Sequence, residues 1–257
     1  VYKTKLSLVK SENGNKRAVD KASFTIDNNE IIGLVGESGC GKSTLSRLIM
    51  RLEKPSEGKV SYRGGDIWSF KGADLNKFRK NCQIIFQDTL TSLNPNMKIV
   101  DTLKEPLNNH FKISEDEKIK KIEDIIAFAN LNKSILSNYP SNLSGGERQR
   151  VNICRALLLE PEFLICDEII SSLDVYTQAI ILNMVKRLIR HNNMGVLFIS
   201  HDISAVKYLC SKIMVMYKGE IVEVIDNRNK EYKITHPYTK KLISSVPINN
   251  PNKRSVV

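Results

Sequence analysis

Residues 31–44 read IIGLVGESGCGKST. A short apolar run enters a glycine-rich turn, and a helix-forming stretch, KSTLSRLIM, follows from Lys42 to Met50. The pattern G-x-x-x-x-G-K-[ST] is met by Gly36, Gly41, Lys42 and Ser43, directly after a strand and at the start of a helix, the context that a phosphate-binding loop requires. Glycines allow backbone N–H groups to turn inward around phosphate oxygens. Lys42 then neutralises the β- and γ-phosphates, the Ser43 hydroxyl ligates Mg²⁺, and the helix start adds its positive dipole. The residues expected to hold the nucleotide are Gly36, Ser38, Gly39, Cys40, Gly41, Lys42, Ser43 and Thr44.

Outward from the loop, apolar β-type runs recur as QIIF (83–86), FLIC (163–166), VLFIS (196–200) and IMVMY (213–217). Short, continuous apolar runs are what strands of a parallel sheet look like when both faces are covered. Helical patterns follow at Val175–Arg190 and Ile203–Cys210, so the alternation is that of an α/β fold. Between Gln87 and Ala156 the pattern changes to polar turns and helices, which reads as a helical insertion. From Asp226 onward the chain is polar and carries Pro237, Pro247 and Pro251, as an appended tail would. The expected organisation is a discontinuous nucleotide-binding core at 1–86 and 157–225, a helical subdomain at 87–156 and a tail at 226–257.

The FLICDE string places Asp167 and Glu168 at the carboxyl end of an apolar strand, where ligands of parallel sheets bind. Asp167 is positioned to hold the magnesium shell. Glu168, one residue on, can act as general base on the water that attacks the γ-phosphate. Gln87, Asp174 and His201 also lie just beyond strand ends or the acidic pair, where they could converge on the same phosphates; Gln87 is expected to act in catalysis with Glu168 and His201, and His201 to bond the γ-phosphate and orient Glu168. Gln87 joins Ser43 and Asp167 in the expected Mg²⁺ set.

A second glycine-rich helix start occurs at LSGGE, 143–147. Leu143, Ser144, Gly145, Gly146 and Glu147 open the helical run GERQRVNICRALLL, so a further set of N–H donors faces an anion. One phosphate site is already supplied by residues 36–44. The second start makes sense if it faces a nucleotide held by another subunit, although a serine N-cap with a glycine-rich turn is an equally physical description of Ser144.

A composition of 41% hydrophobic and 26% charged residues is that of an ordinary soluble protein. No apolar stretch approaches the length of a membrane span, and VYKTKLSLVK lacks the apolar run of a signal peptide, so the chain is expected in the cytosol. It opens at Val1 without a methionine, so a few residues are expected to precede it. The net charge of +11 would suit nucleic acid or an anionic membrane, but the basic residues are spread along the chain as solvated faces. Five cysteines without a C-x-x-C pair read as buried, reduced thiols.

In their order and spacing, GESGCGKST, Gln87, LSGGE, FLICDE, SSLD and His201 closely resemble the ATP-binding cassette family. The resemblance implies a P-loop NTPase (RecA-like) parallel-sheet core with an antiparallel β subdomain and a helical subdomain. It further implies a head-to-tail dimer, in which each ATP lies between Lys42, Ser43, Gln87, Asp167, Glu168 and His201 of one subunit and Ser144–Glu147 and Asp174 of the other. FQDTLTSLNPNM, SSLDVYTQA, LFISHDISAVKYLC and the tail HPYTKKLISSVP look like ATPase subunits of oligopeptide, dipeptide and nickel importers, most like the shorter F type. The implied partners are an unlike, D-type ATPase, two membrane permeases and an extracytoplasmic solute-binding protein, with no nucleic acid. The implied location is the cytoplasmic face of the membrane, with a permease coupling helix near Gln87–Asn96. Peptide is the first cargo and nickel or another metal chelate the second. A cassette ATPase acting on DNA or ribosomes is the alternative class, and it would be expected to carry two cassettes or long coiled coils. Two departures stand out. Ile169 and Ile170 replace the usual proline after the acidic pair, which is expected to loosen that turn. No aromatic in SENGNKRAVD is placed to stack on adenine, leaving Tyr2 as the candidate.

Overall fold

The five apolar runs become parallel neighbours in a single sheet. The computed structural model describes residues 2–5, 17–88, 92–171, 173–229 and 233–244, with 2–5 and 190–192 described by their backbone alone. Strands β1 (Tyr2–Lys5), β2 (Ser23–Ile26) and β3 (Ile31–Val35) precede helix α1 (Lys42–Ile49). Strands β4 (Lys59–Tyr62) and β5 (Gly65–Asp66), helix α2 (Gly72–Asn81) and strand β6 (Cys82–Ile85) complete the first half. Then come helices α3 (Ile99–His110), α4 (Glu115–Phe128) and α5 (Gly145–Leu157), with two 3₁₀ turns at Lys133–Ser137 and Pro140–Asn142. The second half alternates β7 (Phe163–Asp167), α6 (Val175–Asn192), β8 (Gly195–Ile199), α7 (Ile203–Leu209), β9 (Lys212–Tyr217), β10 (Glu220–Asp226) and α8 (Pro237–Ser244).

The larger sheet has six strands in the order β10-β9-β3-β8-β7-β6. All its pairings are parallel except that of β9 with β10 at the edge. Every residue of β3, β7 and β8 is buried, which is why their sequences show no alternation. One face packs on α1 and the smaller sheet through Leu45, Ile49, Val60, Phe78, Ile165 and Leu197. The opposite face packs through Leu164, Val196 and Phe198 against Val185 and Leu188 of α6 and the helical subdomain. The smaller sheet is antiparallel, in the order β2-β1-β4-β5.

Glu162, immediately before β7, ties the two sheets together. Its carboxylate accepts from Tyr62 Oη (2.6 Å), Arg63 (2.9 and 2.5 Å) and Asn81 Nδ2 (3.0 Å). Among the described residues, the segment from 92 to 157 contains only helices and turns. Ser114 caps α4 in a capping box with Glu117, one reason that this helix begins where it does.

The tail differs from the expectation of a mere appendage. Tyr238 and Thr239 of α8 are buried against the core, at 9% and 0% exposure. Pro247 and Pro251 lie outside the described residues. All five cysteines are buried free thiols, and burial pushes Cys154 up to about 12. No helix among the described residues is long and apolar enough to cross a membrane.

Candidate functional site

The carboxyl ends of β3, β7 and β8 lie side by side, so the loops that leave them converge. The loop after β3 wraps into α1. Two of its glycines are required by the backbone: Gly39 has φ 75°, and Gly41 has φ 114° and sits so close to the Ala18 carbonyl that a Cβ would approach its oxygen to 2.0 Å. Gly219, in the turn between β9 and β10, donates its N–H to the Cys40 carbonyl at 2.9 Å and buttresses the same turn.

Lys42, the first residue of α1, is buried at 5% exposure. Its ammonium donates to the Gly36 carbonyl at 2.8 Å and the Glu37 carbonyl at 3.1 Å. Among the described residues no carboxylate forms an ion pair with it, so a buried positive charge rests on neutral oxygens and suits an anionic ligand.

Asp167 ends β7, buried at 6% exposure. Ser46 Oγ donates to the Ser43 carbonyl at 2.8 Å and lies 3.4 Å from Asp167 Oδ2. Burial, and then the charge of Glu168 beside it, push the Asp167 carboxyl up, while Ser46, Lys42 and Ser43 oppose this. A buried carboxylate crowded by a second acid, with the Ser43 hydroxyl next to it, is a donor set that fits a hard divalent cation.

Glu168 takes a left-handed backbone, φ 51°. For a side-chain-bearing residue that conformation costs about 1–2 kcal/mol, and such strain collects at functional positions. It is held by Glu168 N–H donating to the Ile199 carbonyl at 2.9 Å, and by its own carbonyl accepting from Ser171 N–H (3.1 Å) and Oγ (2.8 Å). Ile169 and Ile170 follow it in the turn. Both isoleucines are buried, at 2% exposure each, and the Ser171 bonds close the turn. His201, just past β8, places Nδ1 at 3.3 Å from Glu168 Oε2. Its ring is largely exposed and leaves Nε2 pointing away from that contact.

Gln87 lies just beyond β6, exposed and without a hydrogen bond to the loop or to Glu168 among the described residues. Residues 89–91 of the Gln87–Asn96 stretch lie outside the described residues, as do Ser172 of SSLD and the side chain of Tyr2.

Ser144 caps α5. Its Oγ accepts from Glu147 N–H at 3.3 Å, while Glu147 Oε2 accepts from Ser144 N–H at 2.9 Å and Oγ at 2.8 Å. Arg148 donates to the Leu143 carbonyl. Gly146 meets the start of α6 so tightly that a Cβ would lie 2.6 Å from Thr177 Cγ2. Thr177 in turn donates its N–H (2.9 Å) and Oγ1 (2.6 Å) to Asp174, the α6 N-cap. Residues 143–147 and 174–177 thus form one surface. No hydrogen bond or ion pair joins it to residues 36–44 among the described residues. Within one chain the structure brings Lys42, Ser43, Asp167, Glu168 and His201 together, and leaves Ser144–Glu147 with Asp174 as a separate group.

Three contributors went unread in the sequence. Ser46 had a usable signal, since Ser43 and Ser46 share a face of a helix that starts at Lys42. Ser171 and Tyr238 had none.

The ABC transporter family model matches residues 19–171. The chain is 43% identical over 236 residues to the oligopeptide transport ATP-binding protein AppF of Bacillus subtilis, covering 91% of this chain and 72% of that protein. It is 41% identical to the oligopeptide transport ATP-binding protein OppF of Streptococcus mutans, covering 98% of this chain and 82% of that one. Among solved structures it resembles the ATP-binding cassette MJ0796, a dimer in a post-hydrolysis state bound to ADP and Pi, with a TM-score of 0.79 at 25% identity, over 89% of this chain and 99% of that one.

Proposed function

This chain belongs to the ABC transporter family, and from that membership we propose that it is the ATPase subunit of an oligopeptide importer, closing on ATP in a pair of cassettes and reopening on hydrolysis. The family match and the oligopeptide names of its relatives support the reading, and they lend nothing to the nickel or the DNA and ribosome alternatives. The observation that carries the chemistry is the 3.3 Å contact between Glu168 and His201, on adjacent strand ends beside a buried lysine and a buried aspartate.

The triphosphate would lie along Gly36, Ser38, Gly39, Cys40, Gly41, Lys42, Ser43 and Thr44, with Lys42 leaving the Gly36 and Glu37 carbonyls for β- and γ-phosphate oxygens. Mg²⁺ held by Ser43 and Asp167, with Gln87, would supply charge neutralisation across those oxygens. Glu168 takes a proton from a bound water as the water oxygen bonds to the γ-phosphorus, and the bond from that phosphorus to the bridging oxygen breaks, releasing ADP. His201, oriented through Nδ1 on Glu168, offers Nε2 to the γ-phosphate, so the pair distinguishes ATP from ADP. Leu143–Glu147 and Asp174 would face the nucleotide of a second ATPase subunit, of the unlike D type.

Two permeases and a solute-binding protein would complete the assembly, with this chain at the cytoplasmic face of the membrane. A groove of about 490 Å³, lined by Phe86, Asp88, Glu105, Asn109 and Arg155 between β6 and the helical subdomain, suits a permease segment.

The deciding experiment is Glu168→Gln in the assembled transporter. ATP binding should persist while turnover falls roughly 10²–10⁴-fold. Uptake of a labelled oligopeptide should fall with it and that of nickel should not. Near-normal hydrolysis by the variant would remove Glu168 from the role of base.

A further inference from the structure

Tyr238 reaches from the tail to the phosphate loop. Its hydroxyl accepts the Glu37 N–H at 2.9 Å. That N–H belongs to the same planar peptide unit as the Gly36 carbonyl, which holds the Lys42 ammonium at 2.8 Å. In a trans peptide the N–H and C=O point in opposite directions and cannot turn independently. Fixing the amide on one side therefore fixes the carbonyl that aims Lys42 on the other.

The tyrosine is itself held firmly. Its ring lies against that of Tyr217, the last residue of β9, with centroids 4.3 Å apart and planes 30° from parallel. Helix α8 is anchored at its start by Glu223 of β10, whose carboxylate accepts from Thr235 N–H (2.6 Å), Thr235 Oγ1 (2.8 Å) and His236 N–H (3.3 Å). Burial acts to raise the Glu223 carboxyl, and the hydrogen bonds it accepts outweigh this and hold it down to about 2. Since β9 pairs directly with β3, which leads into the loop, both ends of the Tyr238 contact rest on one sheet.

We propose that Tyr238 is a positioning residue for nucleotide binding: through the Gly36–Glu37 peptide it sets the aim of Lys42, and so couples the docking of the tail helix to the affinity for ATP. This rests on the reading of the loop as an ATP site. A pinned Gly36–Glu37 peptide keeps the loop in the shape from which Lys42, on leaving the Gly36 carbonyl, reaches the phosphates.

Tyr238→Phe tests the idea, because it keeps the ring stack and removes the hydroxyl. In equilibrium titrations of the full chain with a fluorescent ATP analogue, the dissociation constant should rise roughly three- to tenfold, the worth of one hydrogen bond. In the assembled transporter KM for ATP should rise by a similar factor with kcat nearly unchanged, and the unfolding temperature without nucleotide should fall by no more than the few degrees that one lost hydrogen bond gives. Unchanged affinity would overturn the proposal. So would a lower unfolding temperature with normal affinity in the folded fraction, which would make the contact purely structural. Should little folded Tyr238→Phe protein be obtained, Glu223→Gln loosens the start of α8 from the far side and should weaken ATP binding in the same direction; normal affinity there would also overturn it. Wild-type protein that binds no ATP would instead remove the underlying reading.

Discussion

The chain presents two glycine-rich helix starts, and they are built in opposite ways. The one at α1 is enclosed: Ala18, Gly219 and Tyr238 press on it from three separate parts of the chain, and its lysine is buried. The one at α5 is self-sufficient and open. Ser144 and Glu147 satisfy each other, and Gly145 meets no side chain closer than 3.9 Å to where a Cβ would be, although Gly146 behind it packs on Thr177. An enclosed start can bind its ligand with groups from one molecule, whereas an open one offers donors to something that another molecule brings. The same element of secondary structure thus serves as a finished site or as half of one, according to what surrounds it.

Removing the charge at the enclosed start should have the largest effect. Lys42→Ala should weaken ATP binding by the isolated chain roughly ten- to hundredfold, the range for a hydrogen bond to a charged group, read by nucleotide titration. The same titration on Ser144→Ala should show unchanged affinity, although loss of the cap lowers stability by about 1 kcal/mol in urea unfolding. Hydrolysis by the assembled pair should nevertheless fall tenfold or more if Ser144 bonds a partner-held phosphate. If Ser144→Ala weakened ATP binding by the isolated chain as Lys42→Ala does, the contrast between the two starts would be wrong.

The smallest effect concerns pH. Glu147 sits below its ordinary 4.5 because it accepts from the Ser144 N–H and then its hydroxyl. A carboxyl depressed in the folded state adds stability above its ordinary value, and that stability is lost as pH falls through the folded one. Glu147→Gln should therefore lose less stability than the wild type as pH falls below 4.5, with ATP affinity untouched.

What the sequence disclosed follows from how strongly each feature is written into residue type. The buried parallel strands were legible because covering both faces leaves continuous apolar runs, as at IIGLV and FLIC. The loop was legible because glycine at left-handed positions and lysine at a helix start are hard to replace. The antiparallel sheet came only through family resemblance, since strands of two to four residues are too short to show alternation. The left-handed backbone of Glu168 could not be read, because nothing in DEII marks it; it arises from pairing with Ile199 and from Ser171. Tyr238 was hidden for a different reason. It is one aromatic in a polar tail, and its partner is a backbone amide about two hundred residues away, which leaves no trace in side-chain chemistry.

The tie at Glu162 makes β7 a ruler. One end of the strand is fixed to the smaller sheet through Tyr62 and Arg63 and to the end of α2 through Asn81, and the other presents Asp167 and Glu168. Side chains on a strand alternate with a period of two, so a single-residue insertion or deletion between Glu162 and Asp167 would turn the aspartate to the opposite face. Residues in that interval are therefore exchangeable among hydrophobic types, but their number is not. Any chimera that exchanges subdomains between related cassettes should place its junctions outside residues 162–168.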